Sequence, residues 1–154
     1  MEKSFMKKYI NEYSTKLVKL RSVKGLNGYI NSSEDAVNVI KHFYDHDDKE
    51  KLYIIMLNGR KKVIGVNLVA IGTVDSVIMH PREIFKTAIL ASASAIILIH
   101  NHPSEEVVPS TADIELTDQI IKGGKILDIQ VLDHIIYSED CFYSIYDGEK
   151  NSNA

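Results

Sequence analysis

The sequence contains a single cysteine, Cys141, among 154 residues. One cysteine excludes an internal disulfide and any zinc site built from Cys-x-x-Cys pairs. No apolar run approaches the roughly 20 residues that a membrane-spanning helix needs, and no signal peptide is evident. We therefore expect a protein of the reducing cytoplasm with no membrane segment.

Neither sign of charge dominates the sequence, because 18 Lys and Arg stand against 21 Asp and Glu, for a formal net charge of −3. This balance argues against a strongly basic nucleic-acid-binding surface, although it does not exclude a local basic patch. Internal repeats and low-complexity segments are also missing. The length and the 45% hydrophobic content predict one globular domain with a proper core.

Several well-known catalytic sequences are missing too. There is no His-Glu-x-x-His, and no His-x-Glu combined with the Pro-Cys-x-x-Cys of nucleobase deaminases. The sequence contains the residue types of a Ser-His-Asp catalytic triad in Ser104, His134 and Asp133, but it has no nucleophile-elbow motif that would support one.

The most informative stretch is His100-Asn101-His102-Pro103-Ser104, which directly follows an apolar block rich in β-branched residues at 95–99. Such a block predicts a buried strand, and both imidazoles point to the same side if the strand continues through the second histidine. Further on, Ser110 is expected to cap a helix with Asp113 as its capping-box partner. A carboxylate then lies in the first helical turn, where a loop can fold back on the histidines.

Two interpretations of these three side chains stay open from spacing alone. Two imidazoles and one carboxylate leave a tetrahedral zinc one free position, which is typical of catalytic sites. Alternatively, the histidines are ordinary polar loop residues and Ser-x-x-Asp is only a capping device.

Four separated motifs resemble, in order, those of the RadC group of MPN/JAB domains. They lie at 80–85 (HPREIF), 100–104 (HNHPS), 109–113 (PSTAD) and 131–134 (VLDH), and the resemblance covers roughly residues 34–146. His-x-His followed after seven residues by Ser-x-x-Asp is the JAMM signature of these domains. The resemblance implies an α/β domain whose mixed central sheet is flanked by helices in three layers, the MPN/JAB-like arrangement shared with cytidine-deaminase-like folds.

The same resemblance implies a Zn²⁺ ion held by His100, His102 and Asp113. It further implies that Ser110 supports the metal-bound water or the developing oxyanion during hydrolysis of an amide or isopeptide bond. The expected partner is a peptide or isopeptide substrate. The family is also associated with DNA repair, and we expect any association with DNA to be indirect.

One part of the JAMM pattern is missing. Enzymes of this type carry a Glu on an upstream strand shortly before a Gly-Thr, here Gly72-Thr73, and the equivalent position is Asn67 or its neighbour. Residues 61–73 contain no Asp or Glu, and an amide cannot act as a base. General acid–base help contributes typically about 10²–10⁴ in rate. The alternative function is therefore a catalytically impaired, metal-binding RadC-like module in DNA metabolism.

Other carboxylates are candidates for the missing base. Glu83 is one, although its position in the first turn of a helix is also explained by the helix dipole. Asp75 lies further upstream, and Glu105 and Glu106 lie on the loop beside the histidines. A purely structural ion is disfavoured, because three side-chain ligands imply an open site.

Hydrophobic periodicity predicts the remaining elements. We predict an amphipathic helix over 2–20, and helices beginning at Ser32 or Ser33, at Pro81 behind an N-cap at His80, and at Ser110. The last of these is predicted to end near Lys122, with Gly123-Gly124 as its C-cap. Strands are predicted at 52–57, 63–71, 74–79, 95–99, 126–132, 134–137 and 141–145, with an Asn58-Gly59 hairpin between the first two.

The predicted division is an N-terminal helix and linker at 1–30, a RadC-like MPN/JAB domain at 31–146 and a flexible tail at 147–154. Asp133 and His134 form the remaining polar pair. Either Asp133 orients His134, or it bonds a ligand histidine, or the two are a satisfied pair inside the sheet.

Overall fold

The computed structural model describes residues 12–23, 28–44, 49–72 and 80–152, the last four as backbone only. The elements in these ranges are α1 (Ser33–Ile40), β1 (Lys51–Leu57), β2 (Val63–Ile71), α2 (Pro81–Leu90), β3 (Ala95–Asn101), α3 (Thr111–Leu127), β4 (Gln130–Tyr137), β5 (Cys141–Ser144) and β6 (Glu149–Ser152).

The strands form one six-stranded sheet in the order β2-β1-β3-β4-β5-β6. β3 and β4 are parallel, and every other neighbouring pair is antiparallel. The single parallel pair exists because α3 carries the chain back across the sheet between those strands. The prediction of a mixed sheet in an α/β domain is confirmed.

Two neighbouring interior strands, β1 and β3, are buried along their whole length. Side chains alternate along each strand, so both faces of the sheet are apolar and both need cover. On one face α1 packs against residues such as Ile55 and Ile97. On the other, α2 and α3 pack through Phe85 and Ile120 against the opposite set of side chains. The result is three layers.

The helices begin at the predicted caps. Ser32 caps α1 and Ser110 caps α3, each in a capping box with the Asp three residues later. α2 begins with Pro81 behind His80, whose side chain makes no capping hydrogen bond. No helix among the described residues is long and apolar enough to cross a membrane.

The predicted end of α3 at Gly123-Gly124 is wrong. The helix continues to Leu127 and ends at Asp128, which has the left-handed φ of 55°. Gly124 serves packing instead, because a Cβ there would lie 2.5 Å from the carbonyl oxygen of Ile129. Residues 126–127 are consequently helical, and the two strands predicted at 126–132 and 134–137 are one continuous strand, β4.

Predictions near the chain ends also differ from the structure. Residues 12–20 form no helix and are exposed, so the helix predicted over 2–20 is wrong in that part. An amphipathic helix needs a surface to cover, and here Leu20 is 92% exposed. Toward the other end, Glu149–Ser152 form an edge strand paired with β5 where an irregular tail was predicted. The part of the first helix at 2–11 and the strand at 74–79 lie outside the described residues.

Candidate metal centre

The end of β3 is tied to the start of β1 by the side chain of Asn101. Its Oδ1 accepts a hydrogen bond from Lys51 N at 2.8 Å, and its Nδ2 donates to Lys49 O at 3.0 Å. These two hydrogen bonds fix the backbone between His100, which is the next-to-last residue of β3, and His102, which lies in the following loop. β3 ends at Asn101, before Pro103, which has no N–H to continue the ladder.

His102 is oriented by the loop that follows it. Its Nδ1 lies 2.8 Å from the carbonyl oxygen of Glu106. A carbonyl only accepts, so Nδ1 carries the proton and Nε2 of the neutral ring keeps a lone pair. The Glu106 backbone therefore fixes the tautomer that a metal ion requires.

Asp113 is held by the cap of α3. Its Oδ2 accepts hydrogen bonds from Ser110 Oγ at 2.6 Å and from Ser110 N at 2.7 Å, and its own N–H donates to Ser110 Oγ at 3.1 Å. A capping box thus fixes the carboxylate in the first helical turn. The side chain that completes the cap also faces the histidines.

The three predicted ligands come together. His100 Nε2 lies 3.0 Å from His102 Nε2 and 3.2 Å from Asp113 Oδ1, and His102 Nε2 lies 3.4 Å from Asp113 Oδ2. Ligands about 2.0–2.2 Å from a tetrahedral ion lie about 3.3–3.6 Å from one another. The spacing therefore fits a metal ion, and this cluster is the one group of three such side chains within the described part of the chain.

His100 is oriented from beneath by two buried side chains. Its Nδ1 lies 2.8 Å from His134 Nε2, and His134 Nδ1 lies 2.6 Å from Thr117 Oγ1. The Thr117 hydroxyl also donates to the carbonyl oxygen of Asp113 at 2.6 Å.

The proton positions follow from that carbonyl. Because the Thr117 proton points to Asp113 O, the hydroxyl oxygen accepts from His134 Nδ1–H. His134 Nε2 then accepts from His100 Nδ1–H, which leaves a lone pair on His100 Nε2. Two ring nitrogens and a carboxylate therefore converge as acceptors with no proton between them. Buried acceptors in contact require a cation, whether a proton or a metal ion.

The pKa shifts describe the metal-free cluster, in which protons on the imidazoles take the place of a metal ion. Burial raises the pKa of Asp113, but the hydrogen bonds from His100 and His102 outweigh it and hold the pKa well below the usual range. The hydrogen bond with Asp113 raises the pKa of His102, against the effect of burial. Burial, followed by the positive charge of His100, holds the pKa of His134 far below 6.5, so His134 is neutral.

Among the described residues, none of the carboxylates predicted as bases joins the three clustered side chains. Glu83 is in the first turn of α2, where it is half-exposed and bonded to Lys86 Nζ at 2.7 Å, an interaction that lowers its pKa. Glu105 and Glu106 are exposed, and Glu106 contributes only its carbonyl to His102. Asp75 lies outside the described residues. Glu83 is paired with Lys86 and is not one of the clustered side chains, and its role as a base stays a prediction.

Asp133 and His134 point to opposite faces of β4. Asp133 lies on the α1 face, where it accepts hydrogen bonds from Ser33 Oγ at 2.7 Å, Ser144 Oγ at 2.9 Å and the His134 backbone N–H at 2.7 Å. Of the three alternatives, a satisfied carboxylate inside the sheet fits Asp133. The residue that contacts His100 is His134 instead.

Sequence reasoning missed Thr117 altogether. The signal was present, because Thr117 follows Asp113 by four residues on a predicted helix and therefore shares its face. The sequence alone does not show that Thr117 contacts His134, because His134 is brought to this face of α3 by the pairing of β3 with β4.

Comparison with known proteins places this geometry in a family. A model described as the RadC-like JAB domain matches residues 30–151. The chain is similar to a UPF0758 protein of Caldanaerobacter subterraneus, with 42% identity over 77% of this chain and 51% of that protein. It is also similar to UPF0758 proteins of Chlorobaculum parvum (39% identity, covering 84% of this chain and 58% of that protein) and Chlorobium chlorochromatii (45%, covering 64% and 44%). The chain spans about half the length of these relatives.

Proposed function

Because the chain belongs to the RadC-like JAB domain family, we propose that it is a zinc-dependent hydrolase of amide or isopeptide bonds. His100, His102 and Asp113 hold the ion, and the substrate is a peptide or isopeptide. The observation that carries the proposal is the convergence of two ring nitrogens and one carboxylate, with 3.0–3.4 Å between their contacting atoms.

The composition of the cluster favours catalysis over a structural role. Among the described residues no fourth His, Cys, Asp or Glu joins the three, and three protein ligands leave one position for water or substrate. A zinc ion in such a site lowers the pKa of water toward 7 and polarises a carbonyl oxygen. The side chain of His102 is 18% exposed and that of His100 only 3%, so access is from the His102 side.

The remaining residues of the site act by orientation. Thr117 and His134 keep the His100 lone pair aimed at the ion, and the Glu106 carbonyl does the same for His102. Ser110 is exposed and orients the carboxylate of Asp113. We assign its hydroxyl a further role in donating to the negative charge that develops on the substrate oxygen.

A second candidate function is favoured by Asn67. It stands on β2 where the JAMM pattern has Glu, opposite Ile54 on the face of the sheet that carries His100. Without a base the domain would bind metal but hydrolyse little, as a module in DNA metabolism with an indirect association with DNA. This candidate keeps the metal site and gives up the reaction.

Metal analysis of the purified chain tests the site. Wild type should carry about one zinc per chain and Asp113→Ala should carry none, because two neutral imidazoles alone bind weakly. Asp118→Ala removes a carboxylate from the exposed side of the same helix and should retain the zinc. Wild type that stays metal-free in excess zinc would contradict the proposal.

A substrate screen then separates the two functions. Zinc-loaded wild type is tested on fluorogenic tetrapeptide amides and on ε-lysyl isopeptide conjugates. Hydrolysis that is lost in Asp113→Ala supports the enzyme. A stoichiometric zinc protein that is inert on both pools, and that gains activity in Asn67→Glu, supports the impaired module.

A further inference from the structure

We infer that the α1 face of the sheet carries a second binding site, a small cavity that takes a free α-amino acid with a short aliphatic side chain. The site holds the ammonium group of this ligand at Asp133 and its carboxylate at Lys61. The cavity lies on the face of the sheet opposite the three clustered side chains. The inference therefore goes beyond the proposed hydrolase function and does not depend on it.

The floor of the cavity is formed by the two parallel strands. Ile97 of β3 pairs with Asp133 of β4, so their side chains lie side by side on the α1 face. Leu132 and Ile30 complete the apolar part of the lining. Ile97 and Ile30 are buried and Leu132 is half-buried, so an aliphatic group bound here is removed from water, which favours binding.

The walls of the cavity are backbone segments held in place by hydrogen bonds. Ile30 N donates to Lys61 O at 3.0 Å, which joins the segment before α1 to the turn between β1 and β2. On the other side Asp147 N donates to Ser144 Oγ at 3.1 Å, and that hydroxyl donates to Asp133 Oδ1 at 2.9 Å. The cavity is therefore built by several connected parts of the chain rather than by a single loop.

Asp133 brings a negative charge to the floor of the cavity. Its Oδ1 accepts from two backbone N–H groups and a hydroxyl, those of His134, Tyr146 and Ser144. Among the described residues its Oδ2 has one donor, Ser33 Oγ at 2.7 Å. The two oxygens of a carboxylate offer about four acceptor positions, so Oδ2 keeps one for a further donor. All these donors are uncharged, and Asp133 therefore has hydrogen bonds but no positive charge beside it.

The opening of the cavity carries charges of both signs. Lys61 and Asp147 line it and are exposed. Within the described part of the chain, neither of them forms an ion pair, and neither does Asp133. Two carboxylates disfavour a simple anion, and the ammonium group of Lys61 disfavours a simple cation. A ligand that carries both charges is complementary to this lining.

The volume of the cavity limits the ligand to a small molecule. It is about 220 Å³, the liquid volume of about seven water molecules and less than the roughly 300–1,000 Å³ of sites for drug-sized ligands. The apolar floor takes an aliphatic group, and the charged side chains take an ammonium group and a carboxylate. Valine carries all three groups on one carbon atom, whereas a peptide carries its terminal charges at opposite ends.

The test is an NMR titration of the isotope-labelled full chain with L-valine and three matched analogues. Isobutylamine lacks the carboxylate of valine, 3-methylbutanoate lacks its ammonium group, and valinamide replaces the carboxylate by the amide that a peptide would carry. Chemical shifts of backbone amides give both the affinity and the place of binding. The metal-free chain is titrated first, because an amino acid can also bind a zinc ion.

We expect valine to bind with a Kd of about 1 mM, since so small a ligand makes few contacts. The largest shifts should be those of the amides of Ser33, His134 and Tyr146, because each of these residues donates to Asp133. The same shifts should appear in the zinc-loaded chain. Each analogue should bind at least about tenfold more weakly, because it leaves a charged group of the cavity without a partner.

Two charge-removing variants test how the ends of the ligand are held. Lys61→Gln and Asp147→Asn should each weaken valine binding by up to about fivefold, the size of effect expected for exposed charge pairs. Arg60→Gln and Asp140→Asn remove equally exposed charges from turns of the same sheet that do not line the cavity, and they should bind valine as wild type does.

Several results would overturn the inference. Isobutylamine or valinamide that binds as tightly as valine would show that the carboxylate is not recognised, and 3-methylbutanoate that does so would show the same for the ammonium group. Shifts confined to His102 and Asp113 would place valine at the proposed metal site. No shift at about 20 mM valine would mean that the cavity takes only water. None of these results affects the hydrolase proposal, which the zinc and substrate measurements test.

Discussion

Each face of the central sheet buries one aspartate, and the two carboxylates have opposite surroundings. Asp133, 6% exposed on the α1 face, accepts hydrogen bonds from two serine hydroxyls and two backbone N–H groups. Asp113, 8% exposed on the other face, points at two imidazole nitrogens whose lone pairs are aimed toward it. Burial alone does not distinguish the two residues.

The two carboxylates differ in whether the groups around them are hydrogen-bond donors or acceptors. A buried carboxylate surrounded by donors is satisfied by the protein itself and contributes to stability. A carboxylate surrounded by acceptors is satisfied only when a cation arrives. Neighbouring residues of β4 serve both sites, since Asp133 belongs to the first and His134 to the second.

The largest expected contrast is between alanine substitutions of the two aspartates. Asp133→Ala removes the acceptor of the buried Ser144 hydroxyl, the half-buried Ser33 hydroxyl and the His134 N–H, and it should lower the unfolding free energy by about 3 kcal/mol. Asp113→Ala loses one half of the capping box of α3 and should cost about 1–2 kcal/mol in the metal-free protein. Urea unfolding and chelator competition measure the two quantities.

Zinc affinity should show the reverse order, with a loss above about 100-fold in Asp113→Ala and little change in folded Asp133→Ala. Equal losses of both quantities in the two variants would break the comparison.

The next effect is the pH dependence of the metal-free protein. The folded pKa of His134 is far below its unfolded value of about 6.5. Below pH 6.5, His134 becomes protonated in the unfolded chain but stays neutral in the folded chain. The unfolding free energy should therefore fall by up to about 1.4 kcal/mol per pH unit. In His134→Phe the unfolding free energy should depend less on pH between pH 6.5 and 5.

His102 acts in the opposite direction. Its folded pKa is raised, so its contribution to stability is complete below pH 6.5 and is lost as the pH rises through the folded pKa. The lowered pKa of Asp113 matters only below about pH 4. Unfolding free energies measured from pH 5 to 9 should therefore pass through a maximum, and a monotonic profile would contradict the assignment of the two histidines.

The smallest contrast is between two buried hydroxyls. Thr117→Val removes the acceptor of His134 Nδ1–H and should weaken zinc binding about tenfold by releasing the His100 tautomer. Ser144→Ala removes a donor to Asp133 and should cost about 1 kcal/mol of unfolding free energy with zinc affinity unchanged. Chelator competition and urea unfolding of both variants check this. Weaker zinc binding in Ser144→Ala would contradict the separation of the two faces of the sheet.

The local parts of this site were predictable from the sequence. The strand before His100, the cap at Ser110 and the capping partner Asp113 all follow from patterns within a few residues. The family motif then predicted that His100, His102 and Asp113 meet, and the structure brings them together.

The remaining parts depend on pairings between distant residues. Which side chain supports His100 is decided by the register of β3 on β4. No local pattern determines that register. The wrong helix end predicted at Gly124 has a related reason. This glycine is required by the close approach of the Ile129 backbone, whereas in the sequence alone it resembles a helix C-cap.

The proposed ligands all lie in one short piece of chain, 100–113, with the loop 102–110 between them. His100 is anchored in β3 and Asp113 in α3, whereas His102 depends on a single loop carbonyl for its orientation. Opening that loop would detach His102 while the sheet stayed intact. We therefore expect the rate of metal exchange to be governed by this local opening, so a variant can hold its ion more briefly without being any less stable.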